Sequence, residues 1–200
     1  MNKWSRSLLT VFLFGIVDAT LAQTLEKAYV LAEPLQYSHS GVFRGCGVHI
    51  KLLQIIDSPQ RDFLTLSLNF WLDHPNHGLL KTTLSKATLG AKPNLYWQKI
   101  ASTWARLKGA EPMHAITTER GDEQAILSVV DIDAAIDFVV AVLGGNQEIQ
   151  IGFKTETATY ERIFYGRPVI ESKTVNQVQP CLKEFTERLT SGAYLIKSSS

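Results

Sequence analysis

Several short motifs that mark common enzyme classes are missing from this sequence. It contains no Gly-x-Ser-x-Gly nucleophile elbow, no His-Glu-x-x-His zinc motif, no Cys-x-x-Cys redox motif and no glycine-rich phosphate loop. Each of these motifs places a nucleophile, a metal or a phosphate in a fixed local geometry, so their absence argues against the corresponding enzyme classes. A glycosidase needs only two carboxylates, which a sequence alone does not reveal, so a hydrolase of that kind stays open.

The chain also lacks an excess of charge of one sign and a long apolar run. It has 20 Lys and Arg against 19 Asp and Glu, with the two signs interspersed. There is no basic block of the kind that binds nucleic acid, so we expect no nucleic-acid partner. The apolar run at residues 8–17 is shorter than the ~20 residues that a membrane-spanning helix needs. Nothing in the composition indicates a cofactor.

The first 22 residues have the layout of a secretory signal peptide. Lys3 and Arg6 form a positive start, residues 8–17 are apolar, and small residues precede a cleavage point after Ala22. We therefore predict a signal peptide at 1–22, a single globular domain at 23–200 without a transmembrane segment, and a periplasmic or secreted location. An uncleaved anchor or a buried helix is the alternative interpretation of the leader.

Cysteine is scarce, and the two that are present lie near opposite ends of the predicted mature chain. Cys46 and Cys181 are an even number of thiols in a compartment that favours oxidation, which predicts a disulfide between them. Two free buried thiols are the second interpretation. A reactive Cys46 is the third, and it would need a base. His49 is three residues away, and on an extended strand this odd spacing places it on the opposite face.

Apolar periodicity predicts strands first and helices late. Segment 48–56 is apolar on both faces, as in a central strand, and segment 63–72 alternates apolar and polar residues with period two. Segment 24–37 looks like a short lead segment. Further strand-like runs lie at 79–89, 102–107, 125–130, 148–154 and 161–170. The predicted fold class is α+β, mainly an antiparallel β-sheet or sandwich, with a doubly wound parallel sheet as the weaker alternative.

Two segments on the C-terminal side have the spacing of helices. The first begins with Asp133 as its N-cap and ends at Gly144 as a left-handed cap. Its predicted apolar stripe is Ile136, Val139, Val140 and Leu143. The second covers 172–192, contains Pro180, and has an apolar stripe that Cys181 borders, so its thiol can reach Cys46 on an early strand.

Two groups of residues are candidates for metal binding. Asp131 and Asp133 could hold Mg²⁺ or Mn²⁺, but a helix cap is the simpler interpretation because no βαβ unit surrounds them. Asp73, His74 and His77 share one turn and are candidate ligands for Zn²⁺ or Cu²⁺, although a structural zinc site needs four. We therefore predict no metal site.

Aromatic residues and one arginine are candidates for ligand binding. Trp71, Trp97 and Trp104 could line a groove in which a ligand stacks, with packing in the core as the alternative. Arg167 lies in a turn where it could meet an anion, or where it simply faces solvent. No catalytic residue is predicted.

The last third of the chain resembles small secreted proteobacterial proteins of the invasion-associated protein B kind. The resemblance rests on "DAAIDFVVAVLGGNQEIQIGF" and on a closing helix ending in "FTERL". It implies an exported protein without catalysis, and we transfer no site residues from it. We therefore predict a binding or interaction protein with an unknown protein or small-molecule ligand. A cell-envelope hydrolase with an unrecognised carboxylate/histidine site is the alternative.

Overall fold

The computed structural model describes residues 23–88, 95–170 and 172–191. The predicted signal peptide at 1–22 lies outside the described residues, and the described elements all fall within the predicted mature chain. The strands are β1 (Gln23–His39), β2 (Val42–Gln54), β3 (Gln60–Trp71), β4 (His74–Thr88), β5 (Leu95–Gln98), β6 (Ile100–Leu107), β7 (Thr117–Arg120), β8 (Ile126–Asp131), β9 (Ile149–Thr155), β10 (Glu161–Gly166) and β11 (Pro168–Ile170). The helices are α1 (Ile132–Gly144) and α2 (Ser172–Ser191), and a 3₁₀ turn covers Asp122–Gln124.

The strands form one mixed, mostly antiparallel sheet, which confirms the predicted α+β class. Its order is β6-β9-β10-β1-β2-β3-β4-β8-β7, with β11 beside β1 and β5 beside β4. The pairs of β1 with β10 and with β11 are parallel, and the other pairs between described strands are antiparallel. Segment 48–56 was predicted to be a central strand, and β2 indeed lies between β1 and β3.

β1 is the longest of the described strands, so the prediction of a short lead segment at 24–37 is wrong. Its first five residues pair with β10, and Ala28–His39 pair with β2. β5 and β6 are separated only by Lys99, and they pair with β4 and β9 respectively. β1 and the β5–β6 segment each connect the part of the sheet made of β6, β9 and β10 with the part made of β2, β3 and β4. Because of these two connections, the sheet curls and encloses a core.

The inner face of the curled sheet is apolar and buried. Residues of β2, β3, β9 and β10 belong to one core cluster: Val48, Ile50, Leu52, Leu64, Leu66, Leu68, Phe70, Ile149, Ile151, Phe153 and Phe164. Their spacing confirms the predicted alternation in β3. Burial of each such side chain stabilises the fold by about 1.5–3 kcal/mol. Helix α2 closes one end of this core, with Phe185 packed against Phe70 at a ring-centroid distance of 5.9 Å.

Helix α1 differs in detail from the prediction. Asp131, not Asp133, is the N-cap, and its carboxylate accepts hydrogen bonds from the backbone N–H groups of Asp133 and Ala134. Gly145, not Gly144, is the left-handed C-cap, with φ of 65°. The helix buries Ala135, Phe138, Val139, Val142 and Leu143. Val140 of the predicted stripe is 56 % exposed, because Ala135 packs at Gly78 and orients the helix. No helix within the described residues is long and apolar enough to span a bilayer.

A charged cluster joins the two parts of the sheet. The guanidinium of Arg162 on β10 donates to both carboxylate oxygens of Glu26 on β1, at 2.6 and 2.7 Å, and to Asp62 on β3 at 2.5 Å. Burial opposes a charge on Glu26, but the hydrogen bond and the charge of Arg162 outweigh it and lower the pKa of Glu26. The same bonds outweigh burial at Arg162 and raise its pKa.

Candidate functional site: the outer groove

The structure brings four of the candidate residues together at the turn between β3 and β4. Trp71 ends β3, Asp73 lies in the turn, and His74 and His77 belong to β4. With Gly78, Leu79 and Val129 they line a cavity of about 450 Å³. This volume lies within the ~300–1,000 Å³ range of small-molecule pockets.

The cavity continues along the outer face of the sheet. A neighbouring cavity of about 180 Å³ shares Leu79 and Val129 and is also lined by Thr117, Thr118, Glu119 and Leu127. Leu79, Leu127 and Val129 face outward because their neighbours in β4 and β8 are buried. We call the two cavities together the outer groove. It runs from Trp71 towards β7, and its floor is apolar.

The indole of Trp71 is held in place at one end of the outer groove. The register of β3 against β4 shifts between Phe70 and Trp71. Tyr37 of β1 packs against the Trp71 ring with a centroid distance of 4.3 Å, and its hydroxyl donates to Asn69 Oδ1 at 2.6 Å. Burial, and to a smaller degree Cys46, raises the pKa of Tyr37, so this hydroxyl stays a donor. A fixed aromatic ring is a preformed surface for a ligand to stack on.

The rim of the outer groove is polar and exposed. Arg44 Nη1 lies 3.6 Å from Asp73 Oδ1, and the two side chains are 36 % and 64 % exposed. An exposed pair of this kind contributes about 0–1 kcal/mol, so it orients the turn more than it stabilises the fold. His74 and His77 are exposed. Nowhere in the described part of the chain do three or more His, Cys, Asp or Glu side chains come close enough to hold a metal, so Asp73, His74 and His77 do not form the ligand set considered from the sequence.

The other ligand-binding candidates lie elsewhere. Trp104 on β6 packs tightly over Gly152, and its Nε1 donates to Glu161 Oε1 at 2.7 Å, so it has a structural role. Trp97 on β5 is 40 % exposed and pairs across from Ser85. Arg167 is exposed between β10 and β11. None of the three lines the outer groove.

Cys46 and Cys181 meet on the inner side of β2. Both are buried, both thiols are free and adjoin each other, and the Cys181 thiol donates to the carbonyl oxygen of Gly45 at 4.0 Å. Glycines flank Cys46 because β2 lies too close to β3 for a side chain there: a Cβ on Gly47 would be 2.1 Å from the carbonyl oxygen of Leu68. Interaction with the adjoining Cys181 thiol, followed by burial, raises the pKa of Cys46, which opposes the thiolate that a nucleophile needs. His49 faces the other side of the sheet, as predicted.

A polar group on the outer face was not singled out from the sequence. His49 Nδ1 lies 2.7 Å from Ser67 Oγ, and Lys51 Nζ donates to both oxygens of Glu33 at 2.7 Å. Burial and the nearby Lys51 lower the pKa of His49. The sequence signal was the run of polar residues at alternate positions in β2 and β3.

A serine beside a histidine is a hydrolase-like pair, but its surroundings do not fit that chemistry. β3 is paired on both sides, with β2 and β4. The backbone N–H groups next to Ser67 therefore take part in the sheet, and they are not free to form an oxyanion hole.

No protein-family model, no curated protein and no solved structure matches this chain. The resemblance to proteins of the invasion-associated protein B kind therefore stays a prediction.

Proposed function

We propose that this protein is an exported, non-enzymatic binding protein that holds a small, largely apolar ligand in the outer groove. The observation that supports this most directly is the position of Trp71. Its ring is fixed by Tyr37 at the end of a cavity of about 450 Å³ whose floor includes Leu79 and Val129. Apolar pockets with a few polar groups at the rim are the usual form of small-molecule sites.

The paired cysteines support the exported part of the proposal. We propose that Cys46 and Cys181 form a disulfide in the mature protein, in an oxidising compartment that the leader at 1–22 predicts. The two thiols are already in contact and buried. Oxidation removes two thiol protons and two electrons, which a disulfide-bearing oxidant such as oxidised glutathione accepts.

The alternative function, a cell-envelope hydrolase with a carboxylate/histidine site, has its natural place in the same groove. Asp73, His74 and His77 lie together there. Asp73 is engaged by Arg44 and is mostly exposed, whereas a catalytic carboxylate works best in a dry, preorganised site. Binding without catalysis therefore fits this geometry better.

The neutral dye N-phenyl-1-naphthylamine tests the groove, because its fluorescence rises in apolar surroundings. We expect saturable binding to the folded mature protein, and we expect Trp71→Ala to weaken it by at least about tenfold, the size of effect that a buried aromatic contact produces. Trp97→Ala is the matched control, since Trp97 is exposed but lies outside the groove. Equal loss in both variants, or no binding at all, would contradict the proposal.

A further inference from the structure

A row of polar residues crosses the outer face next to the outer groove. Glu33, His49, Ser67 and Lys81 are successive partners across β1, β2, β3 and β4. Neighbouring strands are ~4.8 Å apart, so the side chains of the row are within reach of one another. The groove and the row share the same face of the sheet, because Leu79 and Lys81 are two residues apart on β4 with the buried Leu80 between them.

Lys81 is the cation of this row that lacks a partner. It is only partly exposed, and among the described residues it has neither an ion pair nor a hydrogen bond from its side chain. Lys51, in contrast, is neutralised by Glu33 at 2.7 Å. The row and the adjacent Lys51 therefore hold two ammonium groups, those of Lys51 and Lys81, against the one carboxylate of Glu33. A partly desolvated ammonium without a counter-charge favours the approach of an anion.

The His49–Ser67 pair adds a hydrogen-bond donor beside Lys81. If the serine hydroxyl donates to Nδ1, the imidazole keeps Nε2–H as a free donor. If Nδ1–H donates to Ser67 Oγ, the hydroxyl hydrogen is free instead. Either tautomer therefore offers one donor, which together with the Lys81 ammonium can hold two oxygens of a carboxylate, sulfonate or phosphate.

The charges of Lys81 and Glu119 also favour one orientation of a ligand in the outer groove. Lys81 is the strand partner of Leu127, which lines the groove and is itself the partner of Glu119 on the edge strand β7. The face is thus negative at the β7 edge and positive towards β3. An anionic group at Lys81 avoids Glu119, while the rest of the molecule covers Leu79 and Leu127.

We propose that the ligand of the outer groove is a small amphipathic anion, with its apolar body on the groove floor and its oxyanion at Lys81 beside Ser67 and His49. This inference rests on the proposed binding function and names the class of its ligand.

Two dyes that differ by one anionic group test the inference on the folded, mature protein. 8-Anilino-1-naphthalenesulfonate carries a sulfonate on the ring system of N-phenyl-1-naphthylamine. We expect Lys81→Gln to weaken the sulfonate dye by about tenfold, as for a lost hydrogen bond to a charged group, and to leave the affinity for the neutral dye unchanged. Lys86→Gln is the matched control, because Lys86 is exposed on the same strand but pairs with Asp62, away from Ser67 and His49.

A second measurement needs no variant. Added salt should weaken the binding of the sulfonate dye and leave the binding of the neutral dye unchanged, since screening acts on the charge interaction alone. If the neutral dye binds through Trp71 but Lys81→Gln and salt affect neither dye, the inference is wrong and the proposed function stands. If the affinity of neither dye depends on Trp71, the inference and the proposed function are both wrong.

Discussion

At the scale of single residues, Asp131 shows how one carboxylate starts a helix. Its Oδ1 accepts from the N–H groups of Asp133 and Ala134 at 3.0 and 3.1 Å. We expect Asp131→Ala to lower the free energy of unfolding by about 0.5–2 kcal/mol, the usual cost of a lost N-cap. Asp133→Ala should cost less, since that side chain only lies near the helix dipole. Urea unfolding of both variants measures this, and equal costs would contradict the assignment of the cap.

His49 provides a second test at this scale, because its pKa is lowered in the folded protein by burial and by Lys51. Below its ordinary pKa of 6.5 the unfolded chain takes up a proton that folded His49 resists. Stability should therefore fall as pH drops from about 6.5 towards the folded pKa. His49→Gln should flatten this slope when urea unfolding is measured across this pH range. An unchanged slope in His49→Gln would show that burial does not disfavour its charge.

At the scale of elements, the Cys46–Cys181 pair is one of the contacts between α2 and β2, beside the guanidinium of Arg188 over the ring of Phe43. A Cys46–Cys181 bond would close a loop of roughly 135 residues, for which chain entropy sets a ceiling of about 5 kcal/mol. We expect a reductant to lower stability by up to this amount and to speed hydrogen exchange in α2 before the rest, because α2 contains Pro180 and has modest helix propensity.

The double variant Cys46→Ser/Cys181→Ser is the control for that experiment, since a reductant should have no effect on it. Thiol titration of the freshly isolated, denatured protein gives the direct answer. Two reactive thiols per chain would show that the bond does not form.

At the scale of the whole molecule, Arg162 connects the two parts of the curled sheet. The side chains of Arg162, Glu26 and Asp62 are only 17 %, 20 % and 8 % exposed. Arg162→Met leaves two partly buried carboxylates without a cation, and we expect it to cost about 3–5 kcal/mol. Lys183→Met removes an exposed ion pair with Glu187 on α2 and should cost no more than about 1 kcal/mol. Thermal unfolding of the two variants compares these costs, and similar values would contradict a role for Arg162 in joining the sheet.

The parts of the fold that follow from local pattern were predictable. β3 alternates from Asp62 to Leu68, because one face packs in the core and the other faces outward, and the apolar periodicity of the α2 sequence is equally clear. β1 was missed because its inward residues Ala28, Val30 and Ala32 are small and Pro34 interrupts the run. It is a strand through pairing with β2, β10 and β11, which is a property of distant segments.

The candidate site was predictable only in part, because it also depends on pairing between segments that are distant in the sequence. Trp71, Asp73, His74 and His77 were noticed because they are close in sequence. Val129 and Leu127 complete the groove from β8, and they reach it only because β8 pairs with β4. Lys81 was unremarkable in the sequence, since an unpaired lysine is recognised only once the neighbours that could neutralise it are known.

The position of β1 also determines when the fold can be completed during synthesis. Its first residues pair with Glu161–Tyr165 at the far end of the chain, so the strand that is made first waits for one of the last. Contacts between such distant segments form slowly, because a long loop must close before they stabilise anything. The pairing of β1 with β10 therefore cannot form until residue 165 has been made, whereas β1 to β4 can pair with one another earlier. The export that we propose would need the chain to cross a membrane as an extended thread, and a late β1–β10 pairing is compatible with that route.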